Sequence, residues 1–144
     1  MTDLLDVNLL VSLAWPNHVH HVAAQRWFRK RRRSWATTPV TESGFVRVSC
    51  NSSAIPTAVA PIQAIALLAQ LRHVPGHTFL PDDVELLAGE QLVDTTRVVT
   101  YRLVTDAHLL AVARRHGARL ATLDRGVREL AGDNANDVEL VPVR

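Results

Sequence analysis

Residues 103–124 read LVTDAHLLAVARRHGARLATLD, and they hold a helix, its stop and a strand without a break. Apolar side chains recur at helical spacing from Leu103 to His116. Gly117 then stands where a helix ends in the left-handed conformation. Residues 118–124 follow as a short apolar strand closed by an acid, Asp124. A second acid, Asp106, falls in the first turn of the helix, behind Thr105 as a candidate N-cap. A helix that returns directly into a strand is half of a parallel α/β repeat, and the rest of the chain repeats the alternation.

At the N-terminus, LLDV (residues 4–7) is a short apolar run ending at Asp6, and Asn8 is placed to cap a helix over Leu9–Ala14. Pro16 and Asn17 break the pattern, and His18–Arg33 reads as a second helix with Val19, Ala23, Trp27 and Phe28 on one face. SWATTP (34–39) gives a strand, then Thr38 as cap and Pro39 at the first helical position, with the helix running to about Ser49. The Ser- and Pro-rich segment 50–61 is a loop. Helices follow over Ile62–Arg72 and Val84–Val93, with the strand HTFL (77–80) between them. Arg125–Ala131 is a short helix, residues 132–137 a turn, and VELVPV (138–143) the last strand. Strands alternating with helices define an α/β fold: one domain over residues 1–144, with a parallel sheet covered on both faces.

The 144 residues suffice for one sizeable core at 47% hydrophobic and 21% charged. A single cysteine, Cys50, excludes an internal disulfide framework and fits a reducing, cytoplasmic compartment. No basic, apolar leader is visible at the start. Residues 54–71 carry no charge, but Pro56, Pro61 and the many alanines favour a loop and a buried helix over a membrane span. Apolar surface beyond the needs of a small core makes the Ile62–Leu71 helix a candidate interface. Net charge is only +2, so the basic character is local: residues 26–33, RWFRKRRR, hold six of the 16 lysines and arginines.

Ligands of an open α/β sheet bind beyond the carboxyl ends of its strands. Asp6 and Asp124 end strands, and Glu42 and Asp106 lie in first turns of helices, so all four can meet on one edge. Each acid has a plainer reading: Asp124 as an N-cap, Glu42 and Asp106 as complements to helix dipoles, Asp6 as a hydrogen-bonded structural carboxylate. Glu42 is one residue beyond the capping-box position, which falls on Thr41. Gathered together, the acids repel by about 4 kcal/mol per pair at ~4 Å and an effective dielectric near 20. Hard divalent cations with oxygen ligands, Mg²⁺ or Mn²⁺, relieve this. Such ions orient water and stabilise the leaving oxygen in phosphodiester cleavage.

Four blocks in order, LLDVN with Asp6 and Asn8, TESGFVR with Glu42 and Arg47, TDAHLLAVA with Asp106 and LATLDRGV with Thr122 and Asp124, resemble the PIN-domain ribonucleases. The resemblance is closest to the VapC toxins of bacterial toxin–antitoxin pairs and covers essentially the whole chain. It implies a three-layer α/β/α sandwich with a central, mostly parallel sheet. It implies an Mg²⁺- or Mn²⁺-dependent endoribonuclease leaving a 5′-phosphate and a 3′-hydroxyl. Asp6, Glu42, Asp106 and Asp124 would form the catalytic metal site, supported by Asn8 and Thr122. The expected partners are a VapB-type antitoxin, a second copy in a homodimer, and a structured RNA, transfer or ribosomal. Val7 stands where such proteins often carry Thr, which leaves the acids untouched.

Arg29, Lys30, Arg31 and Arg32, with Arg47, are candidate phosphate contacts. Trp27, Phe28 and Trp35 are either stacking faces or core. His18 and His21 share a helical face but lack a cysteine partner for a structural zinc site. His108, one turn into its helix, is watched as a neighbour of Asp106. A phosphoacceptor receiver and a haloacid-dehalogenase-like phosphatase both need a late lysine, and Lys30 is the only one. No Gly-x-Gly-x-x-Gly supports a dinucleotide site. The alternative of another class is a non-catalytic PIN-like module for RNA or protein binding.

Overall fold

The computed structural model describes residues 1–31, 34–86 and 92–143. The strands are β1 (Asp3–Leu5), β2 (Trp35–Thr37), β3 (His77–Phe79), β4 (Arg119–Thr122) and β5 (Val138–Leu140). The helices are α1 (Val7–Ala14), α2 (His21–Arg31), α3 (Pro39–Ser49), α4 (Pro61–Arg72), α5 (Val104–Arg115) and α6 (Arg125–Arg128). A 3₁₀ turn, Tyr101–Leu103, runs directly into α5, and another, Glu129–Ala131, extends α6.

All strand pairings are parallel, in the order β3-β2-β1-β4-β5. The chain therefore builds outward from β1 in one direction, then crosses back and builds outward in the other. The gap between the carboxyl ends of β1 and β4 is the topological switch point, where helices leave for opposite faces and a crevice opens.

The strands are short, and their side chains alternate between the faces. Leu4, Ala36, Leu120 and Val138 pack on α5 and the α6 region with Leu109, Leu110, Val112 and Val127. Leu5, Trp35 and Ala121 pack on the other face against Leu9, Leu10, Trp27, Phe45 and Leu68. Two cores around one sheet make the three-layer α/β/α sandwich. Trp27 and Trp35 are buried there, and Phe28 meets Trp35 edge-on with ring centroids 5.4 Å apart. The aromatics are core, not stacking faces.

Local chemistry corrects several boundaries. Asp6, not Asn8, caps α1: its carboxylate accepts from the Leu9 N–H at 2.8 Å. Thr105 does not cap α5, because the preceding 3₁₀ turn already carries the helical path and moves the cap to Leu103. Helix α2 begins at His21, three residues later than expected. The capping box of α3 closes through Thr41, whose hydroxyl accepts from the Thr38 N–H at 3.0 Å. Gly117 (φ 67°) ends α5 in a Schellman turn, with Ala118 N–H donating to Ala113 O at 2.8 Å. Of the helix expected over Val84–Val93, residues 84–86 and 92–93 are not helical, and 87–91 lie outside the described residues.

Helix α4 is not the buried helix expected. Only Ala64 and Leu68 are buried, while Ile62 (77%) and Ile65 (54%) face solvent. Among the described residues no helix is long and apolar enough to cross a membrane.

Candidate active site

Asp6 leaves β1 at the switch point and is only 5% exposed. One carboxylate oxygen caps α1. The other accepts from the Thr122 hydroxyl at 2.5 Å. The Thr122 oxygen in turn accepts from the Asp124 N–H at 3.0 Å. Thr122 ends β4, paired through its neighbour Ala121 with Leu5, so the register that sets Leu5 beside Ala121 sets Asp6 beside Thr122. Asp124 caps α6, accepting from Gly126 N–H at 2.8 Å. Its cap reading and its site reading are therefore compatible, since one oxygen holds the helix.

Helix α5 precedes β4 and runs against the strand direction, so its first turn lies at the same edge. That brings Asp106 into the electrostatic reach of Asp6 and Asp124. Burial, then those two charges, pushes Asp106 from 3.8 up to about 7. Burial raises Asp6 to about 6, opposed by the hydrogen bonds from Thr122 and Leu9 and assisted by Asp124. Three acids remote in sequence thus share one negative field.

Glu42 stands on the same edge, in the first turn of α3, but its carboxylate engages other groups. It accepts from the Thr37 hydroxyl at 2.6 Å and lies 3.6 Å from the Arg72 guanidinium. The Thr37 hydroxyl has one proton and gives it to Glu42, so His77 Nε2, 2.7 Å away, donates to the Thr37 oxygen. The charges bearing on Asp106 are those of Asp6 and Asp124. Thr37, Arg72 and His77 carried no recognisable signal in the sequence, since they come from two strands and a helix end that meet only in the fold.

Asn8 is exposed in the first turn of α1. Arg47 is exposed in the last turn of α3, farther from the edge that carries Glu42. Arg29 and Lys30 are exposed near the end of α2, which leads into the start of β2; they flank the opposite edge of the sheet. Arg32 lies outside the described residues, as does the side chain of Arg31. His108 bonds not to Asp106 but to Asp82, at 2.7 Å. His21 Nδ1 donates to the Ser12 carbonyl at 2.8 Å. The arginines at the acidic edge, Arg102, Arg125 and Arg128, were not singled out from sequence; their signal was proximity to Asp106 and Asp124.

The donors at the switch point are carboxylate and hydroxyl oxygens, the set that suits hard divalent ions. Burial holds the carboxyls of Asp6 and Asp106 above the usual carboxylate range, a cost that a bound cation would offset. Among the described residues, however, no three His, Cys, Asp or Glu side chains stand in a ready-made chelating cluster. The fit to such an ion is one of charge and donor type.

An α/β/α sandwich of five parallel strands with acids at its switch point defines a class, and the comparisons agree with it. The chain belongs to the PIN-domain family, whose signature matches residues 4–133. Within that family it sits with the VapC proteins of Mycobacterium tuberculosis. It is 52% identical over 132 residues to Ribonuclease VapC39, covering 91% of this chain and 94% of that one. Ribonuclease VapC38 is 51% identical over 129 residues, 89% of each chain. The crystal structure of PAE2754 from Pyrobaculum aerophilum shares the fold at 19% identity, with a TM-score of 0.61 over 97% of this chain and 84% of that one.

Proposed function

We propose that residues 1–144 form a single nuclease domain, a divalent-cation-dependent endoribonuclease acting as the toxin of a toxin–antitoxin pair in the bacterial cytoplasm. The reading is carried by the shared field of Asp6, Asp106 and Asp124 at the switch point. It is supported by half-identity to chains named as ribonucleases. Asp6, Asp106 and Asp124 would hold Mg²⁺ or Mn²⁺, with Glu42 at the rim. A cation there supplies Lewis acidity and a polarised water for phosphodiester hydrolysis.

This chain's own residues do the positioning. Thr122 fixes one Asp6 oxygen and the Asp124 backbone together, so β1 and β4 present their acids as a unit. Thr37 and Arg72 hold the Glu42 carboxylate. Asn8, exposed beside Asp6, orders the mouth of the site. Arg125 and Arg128, beside Asp124, face the phosphates. Arg29, Lys30 and Arg47 reach only an RNA long enough to pass around the molecule, such as transfer or ribosomal RNA. The partners in this reading are a VapB-type antitoxin and a second copy of the chain.

RNA cleavage by the purified protein, with Mg²⁺, with Mn²⁺ and with EDTA, tests the assignment, comparing wild type with Asp6→Asn. We expect cation-dependent cleavage by wild type and at least a 100-fold loss in the variant, about 2.7 kcal/mol in barrier. The variant should stay folded, because the Asn oxygen can still cap α1, and should melt higher without cation because a buried charge is gone. Normal turnover by Asp6→Asn would defeat the reading. A non-catalytic module would bind RNA and leave it intact in every buffer.

A further inference from the structure

Tyr101 is 81% exposed, the most open Phe, Tyr or Trp ring among the described residues. It lies in the 3₁₀ turn that runs without interruption into α5, five residues before Asp106. At helical rises of 1.5–2.0 Å per residue, that places its backbone roughly 8–10 Å beyond Asp106 along the axis. Because the first turn of α5 lies at the carboxyl edge of the strands, this turn continues outward from that same edge.

Its neighbour Arg102 is four residues before Asp106, on the same side of the helical path. The Arg102 guanidinium lies 5.8 Å from the centroid of the Tyr101 ring. Among the described residues it forms no ion pair. A solvent-facing aromatic ring and, beside it, a guanidinium outside any ion pair, both on the turn that leads into the helix carrying Asp106, are not explained by packing. Fixing a large ring in water contributes nothing to the core. A π-face and a guanidinium together suit a nucleobase with its phosphate.

We propose that Tyr101 and Arg102 form a platform that grips an unpaired nucleotide of the RNA next to the phosphate to be cut. The ring stacks on the base and the guanidinium neutralises the adjoining phosphate. A base inside a duplex has no free face to offer, so the platform selects loops and single strands. The proposal rests on the nuclease reading above for its substrate and names the part of that substrate which this edge recognises.

The test reads binding rather than cleavage. A fluorescently labelled 12-nucleotide single-stranded RNA and a duplex of the same sequence are titrated with the full chain in EDTA, followed by anisotropy. Tyr101→Ala should weaken single-strand binding roughly 5- to 100-fold and leave duplex binding within about twofold. Tyr101→Phe, which keeps the π-face, should bind like wild type. Arg102→Ala should lower the salt slope by about 0.7. The ring is solvent-facing, so these variants should fold normally, checked by melting temperature. Equal single-strand affinity in Tyr101→Ala and wild type overturns the proposal, as does equal loss on duplex RNA. A shift in molar mass by light scattering with unchanged RNA affinity would assign the patch to self-association and overturn it as well. An inactive protein that still binds single strands through Tyr101 would defeat the nuclease reading and support the platform only as a grip on unpaired RNA, no longer beside a phosphate to be cut.

Discussion

Asp6 makes two hydrogen bonds, one with each carboxylate oxygen, at a site almost closed to water. One oxygen caps α1 and the other takes the Thr122 proton. Those bonds lower its pKa, and burial outweighs them, to about 6. Asp106, with fewer compensations, rises to about 7. In the folded chain both acids bind protons more tightly than in the unfolded one, whose carboxylates titrate near 3.8. Between those limits the folded state holds protons that the unfolded state has released, so this contribution to stability falls as pH rises through about 4 to 7. His18 and His77, depressed by burial, act in the opposite sense below 6.5. The clean measurement is therefore a difference. In EDTA, the melting temperature of wild type relative to Asp6→Asn should drop as pH goes from 5 to 8, and Mn²⁺ should narrow the gap at pH 8. A pH-independent difference would mean that Asp6 is ionised throughout.

At the scale of elements, the acids stay in register because helices sit close to one another. Gly44 of α3 faces Val7, the first residue of α1, and a Cβ built on it would lie 2.5 Å from a Val7 methyl. A side chain at this position would have to displace Val7, so glycine lets α3, which carries Glu42, sit close to the helix that Asp6 caps. Gly44→Ala gains helix propensity of about 1 kcal/mol but must push the two helices apart, at ~1–3 kcal/mol. We expect a net loss of stability in urea unfolding and a larger proportional loss of RNA cleavage, since the Glu42 and Asp6 segments separate. A more stable, fully active Gly44→Ala protein would show that the helices can slide at no cost. The short strands have an element-scale reason too. Three to four residues suffice when β1 and β4 are buried on both faces, and β3, at the edge, is largely open.

At the scale of the molecule, α4 packs chiefly on α3, directs Ala64 and Leu68 inward and turns Ile62 and Ile65 outward. Two isoleucines one turn apart form an apolar stripe without a partner in a single copy. In the proposed homodimer this stripe is buried. Ile62→Ser with Ile65→Ser should shift the protein toward monomer, read by light scattering across a dilution series, while melting of the monomer changes little. An unchanged molar mass would remove α4 from the subunit interface.

The alternation of strand and helix, the stop at Gly117, the Thr38–Pro39 helix start and the positions of the acids at strand ends and in first turns of helices were legible along the chain. They depend on local chemistry: periodicity, turn conformation and capping are settled within a few residues. Which residue caps α1 was misassigned, because Asp6 and Asn8 are both good caps and only the path of β1 into α1 chooses between them. Whether the aromatics of α2 faced water, and which side of α4 did, depended on neighbours far away in sequence.

The sequence by itself determined that acids would end strands and begin helices, and hence that they would lie at one edge of a parallel sheet. Only the tertiary structure decided that β1 and β4 are neighbours, with Thr122 joining Asp6 to Asp124. It also turned Glu42 toward Thr37 and Arg72 and set Arg29 and Lys30 at the far edge. The reason is that strand order is fixed by the packing of two distant cores, and no residue pattern within a strand records which strand will lie beside it.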